Sequence, residues 1–176
     1  MENLLMKLIK YTDIQEPQFI DYIQEWENKG EKVIPSATNR KARSFTELLD
    51  QWAFDETDEV YKKGFVPASL YFLVDGDERI IGAIHLRHEL NEKLLHTGGH
   101  IGYGIRPSER GRGYATLMLS MFLKEKKVRE LKKVLLTCDD DNIPSSKTIE
   151  SCNGVLWDKV EDEGKVIRRY WINIVE

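Results

Sequence analysis

The sequence predicts an α/β (α+β) fold, with about seven strands in a single sheet covered by about four helices, residues 1–176 forming one domain. Three observations lead there. The length of 176 residues lies inside the roughly 100 to 200 residues of an ordinary domain. A composition 41% hydrophobic and 32% charged, with 12 Gly and 5 Pro, supports a buried core and carries no mark of disorder. Apolar residues switch between alternating and helical spacing in the order strand, helix, helix, three strands, helix, strand, helix, two strands, without an internal repeat.

Each element has its own local reason. Leu4 to Tyr11 reads as a strand, and Pro17 suits the first turn of a helix whose apolar face is Phe19, Ile20, Ile23 and Trp26. A polar loop runs from Gly30 to Arg43. Ser44-Phe45-Thr46-Glu47 matches a capping box, with Phe45, Leu48, Leu49 and Trp52 as the face of the second helix. Ser69 to Asp75 and Arg79 to Arg87 are β-rich runs joined by the turn Asp75-Gly76-Asp77-Glu78. His100 to Arg106 continues as a strand, punctuated by Gly98, Gly99, Gly102 and Gly104, where glycine marks a bulge or close backbone approach by a ligand. After Pro107, one helix carries Tyr114, Leu117, Met118, Met121, Phe122, Val128 and Leu131 on a single stripe. Lys133 to Cys138 is a buried strand and Asn142 to Cys152 a helix stopped at Asn153-Gly154. Gly154 to Val160 and Val166 to Ile174 close the chain around Asp162-Glu163-Gly164-Lys165.

Charge and cysteine usage exclude several classes. The balance of 26 Lys+Arg against 30 Asp+Glu, a formal net charge of −4, argues against a nucleic-acid partner, and the basic cluster Asn39 to Arg43 reads as a solvated loop. Two cysteines, Cys138 and Cys152, are too few for a disulfide scaffold or a four-ligand zinc site, so no metal is expected. Apolar runs such as Leu70 to Val74 fall far short of the roughly 20 residues of a membrane span. The opening MENLLMKLIKYTDI, interrupted by Lys7 and Lys10, has no signal-peptide core, so a cytoplasmic location without a membrane partner is expected.

The stretch that carries chemistry runs from Ile105 to Ala115: a strand end, a tight basic glycine turn and a helix start. Free N–H groups and the dipole of a helix N-terminus favour anions. Gly111 and Gly113 permit close backbone approach, and Arg110 and Arg112 add positive charge. Together they describe a pyrophosphate cradle. The Walker pattern is absent, and the dinucleotide fingerprint fails at Thr116 and finds no acidic residue among Lys132 to Leu135, which leaves a nicotinamide enzyme the weaker alternative.

Arg110-Gly111-Arg112-Gly113-Tyr114-Ala115 resembles the acyl-CoA pyrophosphate loop of the GNAT superfamily of N-acetyltransferases, whose pattern is [QR]-x-x-G-x-[GA]. The surrounding strands and helices, including the helix from Asn142, arrive in the superfamily order over nearly the whole chain. Gly98 to Tyr103, Ile105 to Arg110 and Arg168 to Ile172 also resemble a bacterial branch of predicted acetyltransferases without a known substrate. The resemblance implies a central mixed, mostly antiparallel sheet, acetyl-CoA as cosubstrate, and acetyl transfer to a primary amine in a ternary complex. It also implies backbone N–H groups of Arg110, Gly111, Arg112, Gly113, Tyr114 and Ala115 on the pyrophosphate, and Gly104, Ile105, Asn142 and Ser145 along the pantetheine. There are two departures. With Gly111 as the glycine of the pattern, the first position falls on Ser108. Ile149 stands seven residues after Asn142, where many relatives carry a Tyr that protonates the departing thiolate.

Direct transfer needs a neutral amine, a donor to the thioester oxyanion and alignment of the two. All four histidines, His85, His88, His96 and His100, fall between residues 85 and 100. His85-x-x-His88 on a strand points its rings to opposite faces, against a metal set. His100 is the best base, since its ordinary pKa suits proton transfer near neutrality, and Tyr103 is its competitor. Asp139 to Asp141 read as groups favouring a helix dipole. Ile149 keeps a second reading open, a catalytically inactive acyl-CoA-binding sensor. A homodimer also stays open, because apolar faces that pair copies read as core.

Overall fold

The structure, a computed structural model, describes residues 5–175, so Leu4 of the expected first strand lies outside the described residues. The strands are β1 (Lys7–Lys10), β2 (Ala68–Val74), β3 (Ile80–Arg87), β4 (Ile101–Ile105), β5 (Lys133–Asp139), β6 (Val155–Asp162) and β7 (Lys165–Asn173). The helices are α1 (Glu16–Lys29), α2 (Phe45–Asp55), α3 (Glu92–His96), α4 (Tyr114–Phe122), α5 (Lys126–Arg129) and α6 (Ile143–Ser151). The strands form two antiparallel ladders, β1-β2-β3-β4 and β5-β7-β6. The expected single sheet is therefore divided between β4 and β5.

Each face of the strand layer has its own core. On one, Phe19, Tyr22, Ile23 and Trp26 of α1 and Leu48 and Trp52 of α2 pack on Leu70, Phe72, Ile80 and Ala83. Phe19 sits edge-on between Trp52 at 5.5 Å and Phe72 at 6.4 Å. On the other, Met118, Leu119 and Phe122 of α4 and Ile149 of α6 cover Ile84, Leu86, Ile101, Leu136 and Tyr170. Burying each such side chain stabilises by roughly 1.5 to 3 kcal/mol relative to exposure.

Local chemistry sets the ends. The Ser44 hydroxyl accepts the Glu47 N–H at 3.2 Å and the Glu47 carboxylate accepts the Ser44 N–H at 2.7 Å, which is the expected capping box. In the β2–β3 hairpin, Asp75 Oδ1 accepts the N–H groups of Asp77 at 3.0 Å and Arg79 at 2.9 Å.

Two elements differ from the sequence reading. The helix after Pro107 is broken at Leu123 to Glu125. Continued straight, it would turn Val128 about 120° away from Phe122; the break returns Val128 to full burial. The short α3 lies in a stretch read as a connection, capped by Asn91 Oδ1 accepting the Leu94 N–H at 2.9 Å. The left-handed stop after α6 falls within the expected Asn153-Gly154 pair, on Asn153 at φ 67°, and the missing Cβ of Gly154 admits Ile149.

Candidate functional site

The division between the ladders is a cleft pinned at one end. Gly99, at φ 61°, brings the chain against the Leu135 carbonyl, where any Cβ would collide. The His100 N–H then donates to Leu135 O at 2.7 Å, and the Leu135 N–H donates back to His100 Nδ1 at 2.9 Å. Beyond this pin β4 and β5 run the same way without a ladder, Tyr103 lying near Cys138 three residues on from each pinned residue.

Pairing parity shows which main-chain groups line the cleft. Arg87 N–H donates to His100 O at 2.7 Å and Arg106 N–H to Ile81 O at 2.9 Å, so in β4 the groups of Gly102 and Gly104 face β3. Those of Ile101, Tyr103 and Ile105 point the other way, toward β5. On β5, the same parity turns the main chain of Thr137 into the cleft, between the pin at Leu135 and β7. Gly104, expected on the pantetheine, is thus committed to Ala83, and Tyr103 supplies the free edge in its place. Gly104 serves differently: Ile34 O seats where its Cβ would stand, which docks the α1–α2 loop on β4. The Ile105 carbonyl is also occupied, accepting Arg110 Nε at 3.2 Å.

At the open end of the cleft the chain enters the glycine turn. Gly111 and Gly113 are left-handed, φ 76° and 79°, and Gly113 caps α4 with no side chain. From Gly111 to Thr116 no backbone N–H finds a partner among the described residues; the first bond of the helix is Leu117 N–H to Gly113 O at 3.1 Å. Six successive free N–H groups at the N-terminus of a nine-residue helix make an anion site of phosphate type. With Gly113 as the cap, Arg110, Gly113 and Ala115 fill all three fixed positions of [QR]-x-x-G-x-[GA]. The Ser108 departure therefore disappears when the pattern is set two residues later.

The turn is tied to α1 by charge. Arg106, its side chain 3% exposed, donates Nε to Glu25 at 2.7 Å, a guanidinium N–H to Asp21 at 2.8 Å and another to Ile80 O at 3.0 Å. Glu25 also accepts the Ser108 N–H at 2.5 Å. Burial alone would raise the Glu25 carboxyl; the Ser108 N–H and Arg106 outweigh it and hold its pKa below the ordinary value. Arg110 turns back to Glu31 at 2.7 Å and lies 4.8 Å over the Trp26 ring. Arg112, 60% exposed and 3.2 Å from Glu109, keeps its charge at the turn.

His100 does not sit as a base would. Its Nδ1 accepts the Leu135 N–H, so the ring proton is on Nε2 and no lone pair is free. Burial, then Arg87, pushes its pKa down to about 4. Tyr103 reaches from β4 to the first turn of α6, its hydroxyl 3.0 Å from Ser145 Oγ. Burial raises its pKa to about 12, leaving the hydroxyl protonated. Asn142 caps α6, Oδ1 accepting the Ser145 N–H at 3.2 Å. Ile149 is fully buried. His88 pairs with Ser69 Oγ at 2.8 Å and His96 with Glu161 O at 3.0 Å. His85 faces Gly102 across β3–β4. Among the described residues no three His, Cys, Asp or Glu side chains gather as a metal site, and no helix is long and apolar enough to cross a membrane.

A pinned strand pair opening toward a glycine-rich helix start can hold a linear ligand with an anionic end. The family model for the acetyltransferase (GNAT) domain matches residues 7–155. Among solved structures, the ribosomal-protein-S5-alanine acetyltransferase of Vibrio fischeri superposes with TM-score 0.66 at 16% identity, over 99% of this chain and 94% of that one. The spermidine N-acetyltransferase of Vibrio cholerae, solved with CoA and spermine, superposes with TM-score 0.63 at 16% identity, over 96% and 95% of the two chains. No curated protein matches in sequence. With 149 of its 176 residues under that model, the chain belongs to the GNAT family of acetyl-CoA-dependent N-acetyltransferases.

Proposed function

We propose that this chain, residues 1–176 acting as one domain, transfers acetyl from acetyl-CoA to a primary amine by direct attack in a ternary complex. The observation that carries the proposal is the alignment of the six free N–H groups at Gly111 to Thr116 with the unpaired edge of β4. In this reading Gly111 to Ala115 hold the pyrophosphate, with Arg112 adding charge. The pantetheine, which carries its own amide donors and acceptors, completes the edge of Ile101 and Tyr103 and meets the Ile105 N–H, the Ile105 carbonyl being held by Arg110. In this reading the Tyr103 N–H, turned away from β3 on the free edge, donates to the thioester oxygen and stabilises the developing oxyanion.

Ile149 has no proton to give. Tyr103 supplies one instead: its hydroxyl stands against α6 beside Ser145, one turn from the cap, and its raised pKa keeps it protonated. The aid needed is modest, because a thiol of ordinary pKa near 8.5 is already a fair leaving group. Helices α4 and α6 fill one face of the cleft, so the amine enters from the other. There a polar cavity of about 330 Å³, lined by Thr97, Gly98, Thr137, Asp139 and Lys165 among others, opens beside β5.

Calorimetric titration with acetyl-CoA, followed by thiol release against a panel of primary amines, tests the proposal. Binding with turnover is expected. Binding without turnover would leave the second reading, an acyl-CoA sensor, which the buried Ile149 favours, or an acceptor outside the panel. Absence of binding would refute both.

A further inference from the structure

We propose that Arg87 grips a carboxylate on the acceptor, so that the amine acetylated is the α-amine of a free amino acid. This rests on the acetyl-transfer reading above and names the acceptor class for it.

Arg87 is the last residue of β3, its N–H bonded to the His100 carbonyl, so its side chain projects on the same face as those of His85 and Ala83. That face is opposite α4 and α6, and it is the side from which an acceptor reaches the cleft. One guanidinium nitrogen, Nη1, donates to the carbonyls of Gly98 at 3.0 Å and Gly99 at 3.3 Å. The group rests over Gly102, both Nη atoms 3.8 Å from where a Cβ would stand, with Pro35 of the α1–α2 loop at the same distance. Gly98, which holds it, also lines the polar cavity beside β5.

The remaining edge of the guanidinium is free. Arg169 takes Asp158 by a two-point fork, Nε to Oδ1 at 2.7 Å and Nη2 to Oδ2 at 2.6 Å. Arg106 turns the same two nitrogens to Glu25, at 2.7 Å and 2.6 Å. In Arg87 neither Nε nor Nη2 has a partner among the described residues. The unpartnered polar side-chain atoms sealed from solvent there are Tyr22 Oη and Trp26 Nε1, so the Arg87 edge is open. Burial alone shifts its pKa, downward, with no carboxylate acting against it. A guanidinium keeps its charge in a protein, and a half-buried cation without a counter-charge is costly. A ligand carboxylate on the free edge removes that cost in the geometry the other two arginines already use.

The place of Arg87 sets the distance between carboxylate and amine. Gly102 adjoins Tyr103, whose N–H meets the thioester oxygen in the proposed function. A carboxylate held beside Gly102 and an amine at the thioester carbon therefore sit close together, as they do on the single carbon of an α-amino acid, whose side chain is left to the cavity. The carboxylate exchanges no bond. The neutral nitrogen bonds to the thioester carbon as the carbon–sulfur bond breaks; sulfur leaves with the electron pair and receives one amine proton by way of Tyr103. The products are the N-acetyl amino acid and CoA thiol.

The test assays wild type and Arg87→Gln by thiol release from acetyl-CoA, with the standard L-amino acids that carry a primary amine and, for each that reacts, its amide and its decarboxylated amine. At least one amino acid is expected to react with kcat/KM about tenfold or more above its own amide and amine, since hydrogen bonds between charged groups are at stake. In Arg87→Gln that kcat/KM should drop about 10- to 100-fold, mainly through KM, to the level of the amide, with acetyl-CoA affinity unchanged. Arg87→Lys, which keeps the charge without the fork, should fall between.

A wild type that prefers the amide or the amine, or that acetylates amines and no amino acid, would overturn the proposal whether or not the variants fold. Equal losses with acid, amide and amine in Arg87→Gln would do the same, because a purely structural hold on the α3–β4 turn predicts them. Acetyl-CoA bound with no acceptor acetylated would also overturn it, while leaving the sensor reading. Failure to bind acetyl-CoA would instead strike the proposed function itself.

Discussion

Arg106→Met removes the cation that ties the start of the glycine turn to α1. Its three charged and polar partners do not lose equally. Asp21 is 60% exposed and returns to water at little cost, whereas Glu25 is 19% exposed and the Ile80 carbonyl lies inside the sheet. Leaving one member of a buried ion pair costs about 3 to 5 kcal/mol. Glu25 keeps the Ser108 N–H at 2.5 Å and Arg79 at 3.8 Å, which reduces the loss to about 2 to 3 kcal/mol. For a domain of this size each kcal/mol moves the melting temperature by about 2 to 4 °C, so a fall of about 4 to 12 °C is expected.

Thermal unfolding followed by circular dichroism reads that shift, and calorimetry reads the accompanying loss of acetyl-CoA affinity. Asp21→Asn is the control, expected to cost under about 1 kcal/mol as an exposed pair. Arg106→Met combined with Glu25→Gln should be less damaging than the sum of the singles, since the second change removes the stranded charge. A fall below about 2 °C, or an Asp21→Asn effect as large as that of Arg106→Met, would refute the assignment of Arg106 as the tether.

Three further outcomes follow from the site. Gly111→Asp puts a side chain at φ 76° and a negative charge among the free N–H groups; acetyl-CoA affinity should fall by more than about tenfold, and unchanged affinity in a folded variant would sink the placement of the pyrophosphate. His100→Phe leaves the Leu135 N–H without an acceptor, at a cost of about 1 to 3 kcal/mol at pH 7, read as a lower urea midpoint. Because His100 titrates near 4 when folded and near 6.5 when unfolded, its contribution is complete above pH 6.5 and is lost as pH falls toward 4; the variant should lose less stability over that interval, and equal slopes would contradict the pin. Tyr103→Phe should lower kcat by about tenfold or more while acetyl-CoA affinity holds, and an unchanged kcat would exclude the hydroxyl as proton donor.

What the sequence discloses here is what local chemistry decides. The Ser44 box, the Asp75 turn and the glycine turn at Gly111 to Gly113 depend on neighbours within a few residues, and each forms as the residues require. What stays hidden depends on register. His100 and His85 are equivalent as residue types. Only the pairing of His85 with Gly102, and of His100 with Leu135, separates a ring beside β4 from a ring whose Nδ1 is taken by the neighbouring strand. Arg106 left a faint trace: Asp21 and Glu25 stand at i and i+4 on the first helix, an acidic pair awaiting a cation from elsewhere. The break in the long helix left none, since Lys124 and Glu125 are good helix formers and the packing of Val128 decides it.

The four glycines around β4 show how one strand is kept paired on one edge and open on the other. Gly99 closes the cleft at Leu135, Gly104 admits the α1–α2 loop, Gly102 lies under the Arg87 guanidinium and Pro35, and Gly98, at φ 101°, turns the chain in from α3. An open edge buried between two sheets is costly, because N–H and carbonyl groups without partners forfeit their hydrogen bonds. A ligand of alternating amide donors and acceptors removes that cost, whereas a purely hydrocarbon chain does not. On the proposed function, the acyl-CoA arm completes the sheet that the chain leaves unfinished, so binding should stabilise β4 and β5 together. Amide exchange should therefore slow at Ile101, Tyr103 and Thr137 on addition of acetyl-CoA; protection confined to the glycine turn would mean that the cleft is not where the arm lies.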